Sequence, residues 1–509
     1  MGFNDLRKQK VATTGGTEVH ISGPLSTFGE LSVAELTPVG QGDFVYNINP
    51  QIFTTSSFAV GALVHQQDGM CLLESGTDAN GSATVQLRRG LKYKSGQGSL
   101  MRATALFDEP SSGHAQFVGA GNSECGYFIG YFGDFFGILH QDNNRREIRK
   151  LTITTATING NVDIELDGSI VSIPVNSTTT NGAAYQISKG FYNNLPLGGW
   201  LTDVIGSDVY FITARSRDAA GTYSATLTGT PIGTFAQVSQ GIQNTPDFIP
   251  LASSNIDKLD GTGPSGMILN PQQGNVYQIG FQYLGFGNAK FYVENPETGK
   301  LHQFHEIKNA NNRDLPVLRN PNVSVLATSA NIGGTTSGTL KTASMSAFIE
   351  GKNLKLDPKY SATFSFSGVN SSTYVPIALL KANRVFNNQS SFGEFDLLRI
   401  NVSNEVNNKT LVVGLFLRPQ IGGTGINYTH VNQVNSVVSK ASLSPSTNTI
   451  TNLSSITPFY EIVCSPQSSI VEKLESLEFV FGPGVEVLIA IKSTASVDGS
   501  ISVGWYEQQ

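Results

Sequence analysis

Gly126-Tyr127-Phe128-Ile129-Gly130-Tyr131-Phe132-Gly133-Asp134-Phe135-Phe136-Gly137-Ile138-Leu139 is the stretch that decides the fold. Large apolar and aromatic side chains crowd around Gly130, Gly133 and Gly137. Two adjacent sheet strands joined by a tight turn at Gly133-Asp134 account for that pattern. Toward the N-terminus, Phe44-Val45-Tyr46-Asn47-Ile48, Ala83-Thr84-Val85-Gln86-Leu87 and Leu100-Met101-Arg102-Ala103-Thr104-Ala105-Leu106-Phe107 are predicted strands with turn residues between them. Further on, a polar, proline-bearing stretch around Asn244 to Ser265 reads as a linker. Val276 to Phe281 and Ala289 to Val293 then resume the earlier style, and Tyr283-Leu284-Gly285-Phe286-Gly287 repeats its glycine and aromatic texture. A lectin-like β-sandwich drawn from both sides of an interruption would close sheet edges that either half leaves open.

The interruption has its own pattern. Thr152-Ile153-Thr154, Val162-Asp163-Ile164-Glu165-Leu166 and Ile170-Val171-Ser172-Ile173-Pro174-Val175 alternate with period two, with Asn159-Gly160 and Asp167-Gly168 as turns. Thr180 to Asn193 places Ala184, Ile187 and Phe191 at spacings of three and four behind a polar start, which predicts a helix. Ser207 to Thr213 and Tyr223 to Leu227 then return to strand, giving a small ββαββ module. After Gly333-Gly334-Thr335-Thr336, apolar alternation runs through Ala362 to Phe366, Leu397 to Val402, Leu411 to Leu417, Val485 to Ile491 and Ile501 to Tyr506, the pattern of a second sandwich or jelly roll. The predicted organisation is an N-terminal arm over residues 1–27, a discontinuous β-sandwich over 28–150 and 265–345, the inserted module over 151–240, and a C-terminal β-sandwich or jelly roll over 346–509. The fold class is all-β.

Composition sets the outer bounds. A chain of 509 residues exceeds what one core supports and implies about two to four domains. Charged residues make up only 14% while glycine occupies 54 positions, a balance suited to strands and turns rather than long helices. A net charge of −6 argues against general affinity for a phosphate backbone, so nucleic acid is not expected as a partner. Cys71, Cys125 and Cys464 are too few and too scattered for a disulfide framework or a four-cysteine zinc site, and read as buried small hydrophobes. Arg7, Lys8 and Lys10 precede no apolar segment, so neither a secretory signal nor a membrane span is expected and the chain is expected to be made in a cytoplasm. On that ground the sequons at Asn176 and Asn427 are discounted as glycosylation sites.

The search for chemistry yields no Gly-x-Ser-x-Gly elbow, P-loop or His-Glu-x-x-His. His302 and His305 form the only close histidine pair, and a spacing of three on a regular strand sends them to opposite faces, against shared metal binding. Asp108 with Glu109, Asp163 with Glu165 and Glu294 with Glu297 are carboxylate pairs of the kind a glycosidase uses, but Glu294-Asn295-Pro296-Glu297-Thr298-Gly299 reads better as a solvated hairpin. Arg145-Arg146 with Arg149-Lys150 is the densest basic cluster, and a structural salt bridge or subunit contact is its expected role. Trp200, behind Gly198-Gly199, is either a sugar-stacking platform or core filling of the module, with core filling preferred. No catalytic, cofactor-binding or metal-binding residue is assigned, and no cofactor is expected.

Four phrases carry a resemblance: Phe28-Gly29-Glu30-Leu31 with Thr37-Pro38-Val39; Leu91-Lys92-Tyr93-Lys94-Ser95-Gly96-Gln97-Gly98; Phe128-Ile129-Gly130-Tyr131 with Phe135-Phe136-Gly137-Ile138; and Phe291-Tyr292-Val293-Glu294-Asn295-Pro296-Glu297-Thr298-Gly299. In these the chain resembles virion structural proteins of tailed bacteriophages and some large aquatic viruses, over about residues 28–350. The ββαββ insert likewise looks like a module of phage appendage proteins. The resemblance implies a component of a virus particle, such as an appendage, tail fibre or capsid-associated protein, and carries over no active-site residues. The expectation is therefore a non-enzymatic virion protein, homo-oligomeric with a trimer as first guess, partnered by other virion proteins. The alternatives are a host-attachment protein that recognises surface glycans and presents an exposed aromatic platform, and a polysaccharide-degrading spike.

Overall fold

The computed structural model describes residues 9–12, 18–21, 35–93, 96–142, 144–156, 158–193, 199–214, 222–228, 231–351, 357–406, 409–423, 425–477 and 479–508. Most of the N-terminal arm, Phe28-Gly29-Glu30-Leu31, Lys94-Ser95 and Gly198 lie outside the described residues; of the arm, Gln9–Ala12 pairs antiparallel with Glu18–Ile21. The chain is all-β, with one α-helix among the described residues.

The Gly133-Asp134 turn joins strands Gly126–Phe132 and Phe135–Gln141, which pair from Phe132 opposite Phe135 to Gly126 opposite Gln141. Alternation sends Tyr127, Ile129, Tyr131, Phe136 and Ile138 to one face, into the core cluster that also holds Phe107. Phe107 makes edge contacts with Tyr131, Phe136 and Tyr277 at centroid distances of 5.9, 5.4 and 5.9 Å. The glycines allow close backbone approach. A Cβ on Gly130 would lie 1.9 Å from the Gln116 carbonyl oxygen, and one on Gly137 would lie 2.1 Å from that of Ile249. Only glycine lets the neighbouring strands close on this hairpin.

The resulting seven-stranded sheet runs Asp247–Pro250, Phe135–Gln141, Gly126–Phe132, His114–Gly121, Ser324–Asn331, Ser82–Leu87, Phe53–Phe58, all antiparallel. It packs on a six-stranded sheet in the order Leu301–Ile307, Ala289–Glu294, Asn275–Phe281, Ser99–Ala105, Ser344–Glu350, Leu36–Asp43. Ser324–Asn331 and Asn275–Phe281 occupy interior positions beside strands from before the insert, so the two segments share one core.

In the insert, the predicted strands fall at Gly160–Leu166, Ser169–Val175, Asp208–Thr213 and Tyr223–Thr228 around the helix Thr180–Asn193, but the module is larger than ββαββ, because Trp200–Ile205 is a further strand directly after the helix. Ile148–Thr155 and Ile232–Ser239 flank these elements, and the strands form a three-stranded and a four-stranded sheet. The helix begins where the Thr179 hydroxyl accepts the Gly182 amide proton at 3.1 Å, an N-cap that satisfies an otherwise orphaned donor. Ala184, Ile187 and Phe191 are buried, and Phe191 meets Phe211 edge-on at 5.1 Å.

The C-terminal unit is built on two long antiparallel strands, Lys359–Ala382 and Glu486–Gln508, whose pairing shifts register repeatedly between Phe366 and Val375. Irregularities of this kind bend strands and let them cross from one sheet to another. One half of the pair joins Glu394–Asn404 and Ser468–Lys473; the other joins Leu411–Leu417, Tyr460–Cys464 and Val438–Ser442. Trp505, Phe364, Ile377, Val413 and Ile489 fill the space between the two sheets.

Two expectations fail locally. Phe44 to Ile48 is not a strand: after Leu36–Asp43 the Asp43 carboxylate accepts the Val45 amide at 3.2 Å and turns the chain, burying Phe44 and leaving Tyr46 91% exposed. The stretch Asn244 to Ser265 is more than a linker, because Asp247–Pro250 is an edge strand and Leu259 enters the core.

Candidate functional site

The outer face of one C-terminal sheet is covered by the insert. Leu379, Phe416, Tyr428, Ala441, Leu488 and Ala490 form one continuous apolar cluster with Ile187, Phe191, Val204 and Phe211. Charged groups are buried at this seam. Lys381, 3% exposed, donates to the carboxylate of Asp203, 2% exposed, and to the Val204 carbonyl at 3.0 Å. The other Asp203 oxygen accepts the backbone N–H groups of Arg384 at 2.7 Å and Val385 at 3.3 Å. Glu486, the cross-strand partner of Lys381, accepts from Lys189 of the helix at 2.6 Å and from the Tyr428 hydroxyl at 2.9 Å. Burial alone would raise the Glu486 carboxyl, but Lys189, Lys381 and Tyr428 together hold it below the usual range. The Lys381 ammonium also sits 4.3 Å from the centroid of the Tyr428 ring.

The lectin-like sandwich is tied in by separate contacts. Lys92 pairs with Glu394 at 3.1 Å and donates to the Phe392 carbonyl at 3.2 Å. Arg146 lies buried against the Phe392 ring at 5.1 Å and donates to the Ser390 hydroxyl at 3.1 Å. Beside Arg146, a small open cleft of about 40 Å3 lies where all three units meet.

The residues singled out in the sequence separate as follows. His302 and His305 are not on opposite faces. A bulge opposite Phe291 and Tyr292 adds one residue, so they stand across from Val293 and Phe291, both core residues. Both pin one loop: His302 lies 2.9 Å from the Asp257 carboxylate, and the His305 ring accepts the Asn255 amide proton at 3.2 Å. Asp108 accepts the Thr339 amide at 3.0 Å. Asp163 accepts from Ser172 at 2.5 Å and Glu165 from Ser224 at 2.8 Å, across strands. Glu294 and Glu297 flank a turn closed by the Asn295 side chain, which accepts the Glu297 amide at 2.9 Å. Trp200 is buried, with its indole N–H donating to Asp167 at 2.7 Å. Arg149 pairs with Glu147 at 2.6 Å and Lys150 with Asp208 at 3.4 Å. All three cysteines are buried and unpaired, and burial pushes the thiols of Cys71 and Cys125 up to about 12.

A surface the sequence reading did not assign lies at one end of the lectin-like sandwich. Leu284, Phe286 and Leu315 are 52%, 40% and 53% exposed, and the half-buried Tyr283 meets Tyr93 edge-on at 4.8 Å. The loop is held from beneath: the Val317 amide donates to the Gly285 carbonyl at 2.8 Å, and the Asn309 side chain donates to the Gly287 carbonyl at 2.8 Å. Tyr283-Leu284-Gly285-Phe286-Gly287 is legible as a glycine and aromatic phrase; its meeting with Tyr93 and with the segment at Val317 is not.

The architecture is that of joined all-β sandwiches with one helix-bearing insert. No family model matches the sequence, and no curated protein matches it. Among solved structures, the chain is similar to one titled for endo-acting O-glycanases of the human gut microbiota that initiate mucin breakdown, with 9% identity and TM-score 0.28, covering 61% of this chain and 98% of that one. It is similar to the Emp47p carbohydrate recognition domain at 9% identity and TM-score 0.26, covering 62% and 97%. A chain of Sulfolobus Turreted Icosahedral Virus aligns over 93% of this chain and 97% of that one, at 9% identity and TM-score 0.14. At these scores the likenesses carry nothing about ligand or activity. Among the described residues, no helix is long and apolar enough to cross a membrane.

Proposed function

We propose that this chain is a non-enzymatic structural component of a virus particle, an appendage, fibre or capsid-associated protein held in the virion by contacts between subunits. The observation that carries the reading is the seam. A shared apolar cluster with Lys381, Asp203 and Glu486 buried inside it joins insert and C-terminal sandwich into one body. Strand-rich bodies joined through a packed seam suit a particle that must persist outside cells. The resemblance of the sequence phrases to those of virion proteins supports the same reading. Sheet edges at Phe53–Phe58, Leu36–Asp43, Leu301–Ile307 and Ile232–Ser239 have strands on one side only among the described residues, which suits closure by neighbouring subunits in a symmetric assembly, with a homotrimer as the form proposed first.

A second reading, attachment to host surface glycans, is favoured by the exposed surface of Leu284, Phe286 and Leu315 beside Tyr93 and Tyr283. Aromatic and apolar faces of this kind stack on sugar rings. Light scattering on the purified chain, coupled to a glycan array, separates the two. A closed oligomer that ignores glycans supports the structural reading. Glycan binding that Phe286→Ala abolishes promotes the attachment reading, and a chain that shortens any glycan contradicts both.

A further inference from the structure

The cleft at the three-way junction has a charge balance that neither reading uses. The exposed Arg145 and the half-buried Arg319 line it, and among the described residues neither forms an ion pair. Glu124 also lines the cleft but is turned to other work. It is buried, its carboxylate accepts the Arg146 amide proton at 3.3 Å, and its charge partly offsets the burial that pushes the Arg146 guanidinium down to about 10.

The remaining walls supply neutral donors. Asn320 uses its side-chain oxygen to accept the Asn322 amide at 3.0 Å, which leaves its NH2 group as the part available to a ligand. Ser390 accepts from Arg146 at 3.1 Å, so its own hydroxyl proton remains to be given. Ser239 and Gln389 complete the lining from the insert and from the C-terminal hairpin Val385–Phe386 and Gln389–Ser390. Two guanidinium groups without an ionic partner, ringed by amide and hydroxyl donors, match a tetrahedral oxyanion, which accepts from every direction and offers the charge the site lacks. The position is rigid: Arg145 and Ile242, where the chain enters and leaves the insert, exchange both backbone hydrogen bonds at 2.8 and 3.1 Å.

We infer that the cleft lined by Arg145 and Arg319 binds a phosphate or sulfate group, either a free ion or one carried on a sugar, and that the bound anion ties the three units together. The inference stands independently of the particle reading. A ligand that binds only the folded, assembled junction raises its stability by mass action.

The test is calorimetric titration of the full chain with inorganic sulfate and phosphate at fixed ionic strength, together with thermal melts against chloride. Saturable binding and a rise in melting temperature over chloride are expected. Arg145→Ala and Arg319→Ala should each weaken binding at least tenfold, while Arg399→Ala, on an exposed position of the C-terminal sandwich, should leave it unchanged. Melts of each variant in chloride verify folding, and Arg145→Lys, which keeps the charge, should retain part of the affinity if Arg145→Ala is poorly folded. A sulfated or phosphorylated sugar binding more tightly than the inorganic ion would assign the group to a glycan; equal affinity would assign it to the free ion. No saturable binding, or equal binding by wild type and both arginine variants, would overturn the inference.

Discussion

Lys381 sits in Ile377-Ala378-Leu379-Leu380-Lys381-Ala382, a run that is buried throughout. A charge there survives only because Asp203 and the Val204 carbonyl meet it. Replacing Lys381 with Met keeps the volume and strands a buried carboxylate, so the account predicts a loss of about 3–5 kcal/mol in urea unfolding. A loss below about 1 kcal/mol would mean that the pair is exposed to water in solution. Glu486 adds a pH signature. Its carboxyl lies below the ordinary value in the folded chain, so its contribution is present above the unfolded value of about 4.3 and lost as pH falls through the lower folded one. Glu486→Gln should therefore flatten the acid limb of stability against pH, measured by urea midpoints on either side of that window. A lone lysine in an apolar run is legible in the sequence as an anomaly. Its partner is not, because Asp203 arrives from the insert through a fold that only long-range packing defines.

At the scale of the element, the helix was the most legible feature: Thr180 to Asn193 in spacing and in structure, because its apolar stripe meets a sheet and its start carries a threonine cap. Gly190 within it looks like a flaw by propensity, since alanine is worth about 1 kcal/mol more in a helix interior. Packing reverses that sign. A Cβ at Gly190 would lie 2.6 Å from Ile173 Cγ2, a stiff β-branched neighbour, and overpacking of that kind costs about 1–3 kcal/mol. Gly190→Ala is expected to lower the urea midpoint, and to raise it when Ile173→Ala is also present; a stabilised single variant would refute the helix–sheet contact. Phe44 to Ile48 departs from its predicted strand for the opposite reason, as its composition is strand-like while Asp43 caps the strand and turns the chain out. The bulge that brings His302 and His305 to one face leaves no local mark in the sequence. Nor do Val487 to Ile491 announce what covers their second face, although an apolar run without alternation signals burial on both sides.

For the whole molecule, the all-β class and the strand-rich style on both sides of the insert were readable from alternation, glycine and turn residues. The seam was not, since it depends on which sheet face the insert covers. The exposed loop surface and the anion cleft were readable only in fragments: Arg145 stood out within a basic cluster, but Arg319, Asn320, Gln389 and Ser390 come from distant parts of the chain and share nothing in sequence. What this body does in a particle is the central question. Particles purified from the host that encodes the chain, analysed by quantitative mass spectrometry after washing in high salt, test it most directly. The account predicts that the 54.4 kDa chain is retained in a fixed, symmetric ratio to the major capsid protein. Its absence from washed particles, or a variable trace amount, would contradict it.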